Sequence, residues 1–139
     1  WKQAQGPVHL ITSYGLNGAI NGYGYTPTKP VYWSKITQFK ADDIAMWEQD
    51  ESWNGGYYFN DGSNFPREGI TNRHGGTKAG FDAGAVVSTF SGGVEWMTVR
   101  EFYKLAQTNP NTRAAEGLQT RSRVWCCPKQ ISNDGHEHW

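Results

Sequence analysis

Ala85-Val86-Val87-Ser88-Thr89-Phe90, Ser91-Gly92-Gly93, Val94-Glu95-Trp96-Met97 and Thr98-Val99-Arg100-Glu101 follow one another without a break, and their reading decides the fold. The first run is apolar and β-branched and predicts a strand. The second is a short Gly-bearing connection, the third a returning strand, and together they predict a β-hairpin. Thr98 then stands three residues before Glu101, the spacing of a capping box. The Thr98 side chain would accept from the Glu101 amide, and the Glu101 carboxylate would accept from the Thr98 amide. Val99, Phe102, Tyr103 and Ala106 recur at helical spacing behind that cap, so a helix is expected from Val99 to about Gln107. Asn109-Pro110-Asn111 closes it.

Outward from this unit, the N-terminal side reads as strands separated by turns. Val8 to Tyr14 predicts a strand. Gly15 to Gly24 is rich in Gly and Asn and predicts repeated turning. Val31 to Trp33 predicts a short extended run, Ser34 to Phe39 a single helical turn, and Ile44 to Trp47 a buried strand. Asp50 to Arg73 reads as one long loop, with turn signals at Asn54-Gly55-Gly56, Asn60-Asp61-Gly62 and Phe65-Pro66. On the C-terminal side, 112–123 reads as polar loop and Val124-Trp125-Cys126 as a last short strand. The expected fold class is α+β: an antiparallel sheet, long ring-rich loops, and one short helix after the hairpin. The whole of 1–139 is expected to be a single domain with a polar C-terminal tail at 129–139.

Composition bounds the function. The 139 residues are enough for one core, removing roughly two thirds of the unfolded chain's surface from water. Only 37% of them are hydrophobic, while 7 Trp, 7 Tyr and 6 Phe make up 14%, so a small core built of rings is expected. The 13 basic and 13 acidic residues balance, and no basic cluster offers a footprint for nucleic acid. No run of about 18 apolar residues is present to span a membrane. The chain opens on Trp1 rather than Met, so it is expected to be a processed product or a piece of a longer protein.

Cys126 and Cys127 are adjacent. A bridge between neighbours closes a strained eight-membered ring, so reduced thiols or pairing with a cysteine outside this chain are expected ahead of a vicinal disulfide.

A set of motifs in a fixed order resembles a known family. Arg73-His74-Gly75-Gly76 resembles the Arg-His-Gly-Gly signature of pseudopilin-like, type IV pilin-like proteins of type II secretion. Gly84 to Phe90 and Val94-Glu95-Trp96 are similar to that family's hairpin strands. Arg123 to Pro128 resembles its closing Trp-Cys-x-Pro segment, and Ser13-Tyr14-Gly15-Leu16-Asn17 its Ser-Tyr-Gly-Met-Asn segment. Sixteen residues separate His74 from Ser91, a longer interval than the family's, and Ser91-Gly92-Gly93 stands where the family has an Asp-Gly turn. The resemblance implies a pilin-like globular head. Its function would be structural, through self-association with other copies of itself into a homopolymer, a pilus-like filament or a secretion pseudopilus. It implies an extracellular, cell-surface or periplasmic location. It also implies an apolar N-terminal helix, missing from this chain or on another one, as the only contact with membrane.

The candidate residues are therefore mostly structural. Thr98 and Glu101 form the cap; Val86, Phe90, Val94 and Trp96 form the hairpin faces; Arg73 and His74 lock the loop that enters the hairpin. His74 is expected to hydrogen-bond backbone carbonyls of a turn. Cys126 or Cys127 is expected to staple the head to a missing segment. No cofactor and no enzymatic activity are expected, because no nucleophile elbow, phosphate loop or dinucleotide fingerprint is present. Calcium is the one metal considered, with Asp61 as its best ligand among Asp50, Glu51, Asn60, Asn64 and Asp82 in Gly-rich loops. The His136-Glu137-His138 tail lacks the zincin spacing. A rival reading is a lectin-like module in which Trp33, Trp47, Trp53, Tyr57 and Tyr58 form an aromatic platform for sugars.

Overall fold

The computed structural model describes residues 13–20, 34–50, 62–75, 80–112 and 120–128. The expectations for 1–12, Val31 to Trp33, Asp61 and the 129–139 tail lie outside these residues. Five strands form one sheet: β1 (Tyr14–Asn17), β2 (Ile44–Glu48), β3 (Ser63–Asn64), β4 (Gly84–Thr89) and β5 (Val94–Thr98). Among the described residues there is one α-helix, α1 (Val99–Ala106), which follows β5 directly. The fold is α+β.

The strand order is β3-β1-β2-β4-β5. Every neighbouring pair is antiparallel except β1 and β3, which run parallel. The sheet is therefore mixed, a correction to the antiparallel expectation. The parallel pair arises inside the stretch read as one long loop. There β3, a turn of 3₁₀ helix at Pro66–Glu68 and a bridge between Gln49 and Ile70 give the chain local structure. Too few residues take part for a periodic sequence signal. A second correction concerns Gly15 to Asn17, read as turn but paired in β1 against Trp47 and Met46. Gly15 is there because β1 passes over Asn64: a Cβ would come within 2.4 Å of the Asn64 side chain. The turning begins only at the 3₁₀ turn Gly18–Ile20. The helical turn expected at Ser34 to Phe39 is a 3₁₀ turn at Ile36–Gln38.

The hairpin has an unbroken register from Gly84 against Thr98 to Ser88 against Val94. Gly84 is required where the strands meet the helix, since a Cβ would lie 2.0 Å from the Met97 carbonyl oxygen. Thr98 caps α1 in both directions: the Glu101 amide donates to its Oγ1 at 3.2 Å, and its own amide donates to Glu101 Oε2 at 2.9 Å. The helix buries Val99, Phe102, Tyr103 and Ala106 and stops where Gln107 adopts a left-handed conformation.

The core lies between α1 and one face of the sheet. Ile44, Trp47, Ala85, Val87 and Met97 point to the helix, with Phe102 tilted against Trp47 at 5.3 Å between ring centroids. The buried Trp47 donates its indole N–H to the Gly69 carbonyl at 3.0 Å, so its polar atom is satisfied. A second cluster gathers Ala19, Phe39, Trp125, Cys126 and Cys127, flanked by Phe65 and Phe90. Val124-Trp125-Cys126 is fully buried there but forms bends rather than the expected strand. Its backbone is held instead by the side chains of Asn17 and Ser122. Burial made that segment look like a strand in sequence, whereas its hydrogen bonds come from side chains that a local pattern does not reveal.

Candidate functional site

Period-two alternation sends the neighbours of the core residues to the opposite, outer face of the sheet. Across that face, Leu16 lies opposite Met46, Met46 opposite Ser88, and Ser88 opposite Val94. One step along the strands, Tyr14 lies opposite Glu48, and Val86 opposite Trp96. Leu16 is 46%, Trp96 42% and Val94 71% exposed. The exposed apolar side chains therefore stand on β1 and β5, with the half-buried Met46, Val86 and Ser88 between them, and among the described residues β5 is an edge strand.

Set into the same face is a charged cluster. Glu48 is buried, and its carboxylate accepts from the Arg73 guanidinium through Oε1 and meets His74 Nε2 at 2.5 Å through Oε2. The Glu48 carbonyl accepts from the Thr71 amide at 2.9 Å, and the His74 amide donates to the Gly84 carbonyl at 3.3 Å. The loop of Arg73 and His74 is thereby tied both to β2 and to the first residue of the hairpin. The His74 ring engages a carboxylate, not the backbone carbonyls expected of it; only a partner close in space, 26 residues away in sequence, could show this. Glu48 was not among the residues singled out from the sequence. Continuing the Ile44 to Trp47 strand by one residue places it on the face opposite Trp47, which was the available signal.

The remaining candidates are dispersed. Phe90 stacks on Phe39 with centroids 3.9 Å apart and planes 7° apart. Val94 and Trp96 occupy the outer face of the hairpin and belong to neither core cluster among the described residues. Glu101 is held below the ordinary carboxylate range by the Thr98 backbone hydrogen bond and then by the Thr98 hydroxyl. Cys126 and Cys127 are both buried and not bridged to each other. Burial, reinforced by the charge of Asp43, pushes the Cys126 thiol well up.

Among the described residues no group of three or more His, Cys, Asp or Glu side chains converges to hold a metal ion. Asp61, Glu51, Asn60 and the His136-Glu137-His138 tail fall outside them. Asn64 spends its amide N–H groups on the carbonyls of Gly15 and Trp47, and Asp82 pairs with Arg100 at 3.1 Å. For the sugar platform, Trp47 is excluded because it is fully buried; Trp33, Trp53, Tyr57 and Tyr58 lie outside the described residues. A cleft of about 100 Å³ opens between the helix and the Gln49–Ile70 bridge, lined by Ile70, Phe81, Val99 and Tyr103 with Asp50 and Asn72 at its polar side. That volume suits a few waters. Comparison with known protein families, with curated proteins and with solved structures finds no match.

Proposed function

We propose that this domain is a structural subunit, a pilin-like head that acts by self-association in an extracellular or periplasmic filament or secretion pseudopilus. The observation that carries this reading is the outer sheet face, where Leu16, Val94 and Trp96 present apolar side chains to solvent on one side of one sheet. Single exposed apolar residues are ordinary, but Val94 and Trp96 stand side by side on β5, with Leu16 on the same face across the half-buried Met46 and Val86, and apolar surface gathered on one face marks a surface that a partner covers. Trp is also enriched at the centre of such surfaces. The ordered resemblance from Ser13 to Pro128 supports the pilin-like part of the reading. An apolar N-terminal helix of the kind that resemblance implies would be the one contact with membrane. No helix among the described residues is long and apolar enough to cross one.

A carbohydrate-binding role is the second reading, favoured by Trp96, the exposed aromatic ring among the described residues. A sugar platform gains from several rings in one plane, and the outer face supplies one. Electron microscopy of the native, full-length secreted material separates the two. Filaments support the structural reading. Dispersed particles that bind glycans through Trp96 overturn it.

A further inference from the structure

Among the described residues no strand pairs with the outer edge of β5, and that edge has a distinct bonding pattern. At one end of the hairpin the Thr89 amide donates to the Gly93 carbonyl at 2.9 Å, and at the other the Val99 amide donates to the Ala83 carbonyl at 2.8 Å. Both bonds fall on odd-numbered residues. In an antiparallel ladder the bonded and non-bonded pairs alternate. Glu95 and Met97 therefore turn their backbone groups to β4, while Val94 and Trp96 turn theirs to the open edge; the Thr98 carbonyl is taken up by the start of α1. Thr98 agrees: its outward amide is taken by Glu101 rather than by β4. The outward groups of Val94 and Trp96 have no partner among the described residues. β5 carries no Lys, no Pro and no bulge in its register with β4, and its one charge, Glu95, is paired with Arg123.

We propose that β5 pairs antiparallel with β5 of a second copy of this chain about a two-fold axis at Trp96, joining two sheets into one. The inference deepens the self-association reading and rests on it. The strand is complementary to itself in that register. Trp96 would exchange N–H and C=O bonds with Trp96 of the second copy, and Val94 would lie opposite its Thr98. Glu95, the strand's one charge, would lie opposite Met97 and never meet its like. Glu95 is moreover neutralised within its own chain by Arg123. The chain's formal charge is zero, so no long-range repulsion opposes the approach. On the outer face the two Trp96 rings would lie against one another with the two Val94 side chains flanking them, burying the apolar surface at this end of the face. A two-fold contact closes on itself, so a filament built this way still needs a separate head-to-tail contact.

The test combines association and cross-linking on the full chain. Val94→Pro removes an outward N–H at the first residue of β5, a position where Pro is tolerated, and Gly93 before it adapts to Pro. Val94→Lys charges the same edge. Both should weaken dimer formation at least tenfold in sedimentation velocity, with circular dichroism unchanged. Trp96→Cys should form an intermolecular disulfide under mild oxidation, since bonded antiparallel pairs hold Cα atoms about 5.5 Å apart. Ser91→Cys at the hairpin tip should not. A parent that self-associates with an unchanged constant in both Val94 variants, and no Trp96→Cys disulfide, overturns the edge pairing and leaves self-association standing. A parent that stays monomeric at every concentration overturns both. A monomeric parent with Val94 and Trp96 amides protected from exchange assigns the edge to another segment of the same chain and likewise overturns the inference.

Discussion

The side-chain amide of Asn17 donates to the carbonyl oxygen of Val124 at 3.1 Å, joining two residues 107 positions apart. The same nitrogen donates to the Ile44 carbonyl at 2.8 Å, and Asn17 Oδ1 accepts from the Ala19 amide at 3.0 Å. One buried side chain thus does for the 124–126 segment what a strand ladder would otherwise do. Asn17→Asp keeps the shape but turns a carboxylate oxygen toward two carbonyl oxygens. It should cost roughly 3 kcal/mol or more, because two buried acceptors lose their donor. Urea unfolding curves check this; a midpoint equal to the parent's would contradict it.

The helix cap makes a pH-dependent contribution. Thr98→Ala should lose about 1 kcal/mol at neutral pH. Since the Glu101 carboxyl is held below its ordinary value in the folded state, its contribution is complete above about pH 4.5, the ordinary carboxylate range. It is lost as pH falls through the depressed folded value. The difference in stability between parent and Glu101→Gln, followed by thermal melts from pH 6 downward, should shrink along that course.

Cys126 should be chemically inert while the protein is folded. Its raised thiol stays protonated near neutrality, so alkylation by iodoacetamide at pH 8 should proceed only on addition of denaturant. The sign on stability follows: the contribution is full below the unfolded thiol value of about 8.5 and is lost as pH rises above it. Mass spectrometry of the labelled protein reads the first effect, and alkaline melting curves the second.

The Glu48 cluster should be sensitive to loss of its strongest donor. Arg73→Ala leaves a buried carboxylate facing His74 alone and should destabilise by about 1–3 kcal/mol, a range set by the half-exposed state of the Arg73 and His74 side chains. Arg73→Lys should recover part of the loss. Equal stability of parent and Arg73→Ala would mean that solvent replaces the guanidinium without penalty.

Two tryptophans of the same sheet should respond in opposite ways. Trp47→Ala should cost about 3–5 kcal/mol, as expected for a fully buried ring. Trp96→Ser should leave the folding stability of the monomer within about 0.5 kcal/mol and act on association instead. Denaturant titrations at low protein concentration separate the two.

These contrasts mark how far local sequence carried. The hairpin, the Thr98–Glu101 cap and the buried face of α1 were readable because each depends on residues within a few positions of one another. β3, the buried bends at 124–126 and the Glu48–Arg73–His74 contact were not, because their partners are distant in sequence and their signals have no period. The outer face was half readable. The strands were plain, but which side the helix would cover depended on the β2–β4 register and its irregularity between Ile44 and Met46. For that reason Val86, Val94 and Trp96 could be placed in the hairpin but not on its solvent side.

Sedimentation equilibrium over a wide concentration range tests the central claim most directly. If the outer face and edge of this sheet exist to meet other copies, the apparent mass should climb above 15.6 kDa with concentration, and Trp96→Ser should hold it down. A mass fixed at the monomer value up to the millimolar range, with Trp96 fully solvent-accessible, would contradict it.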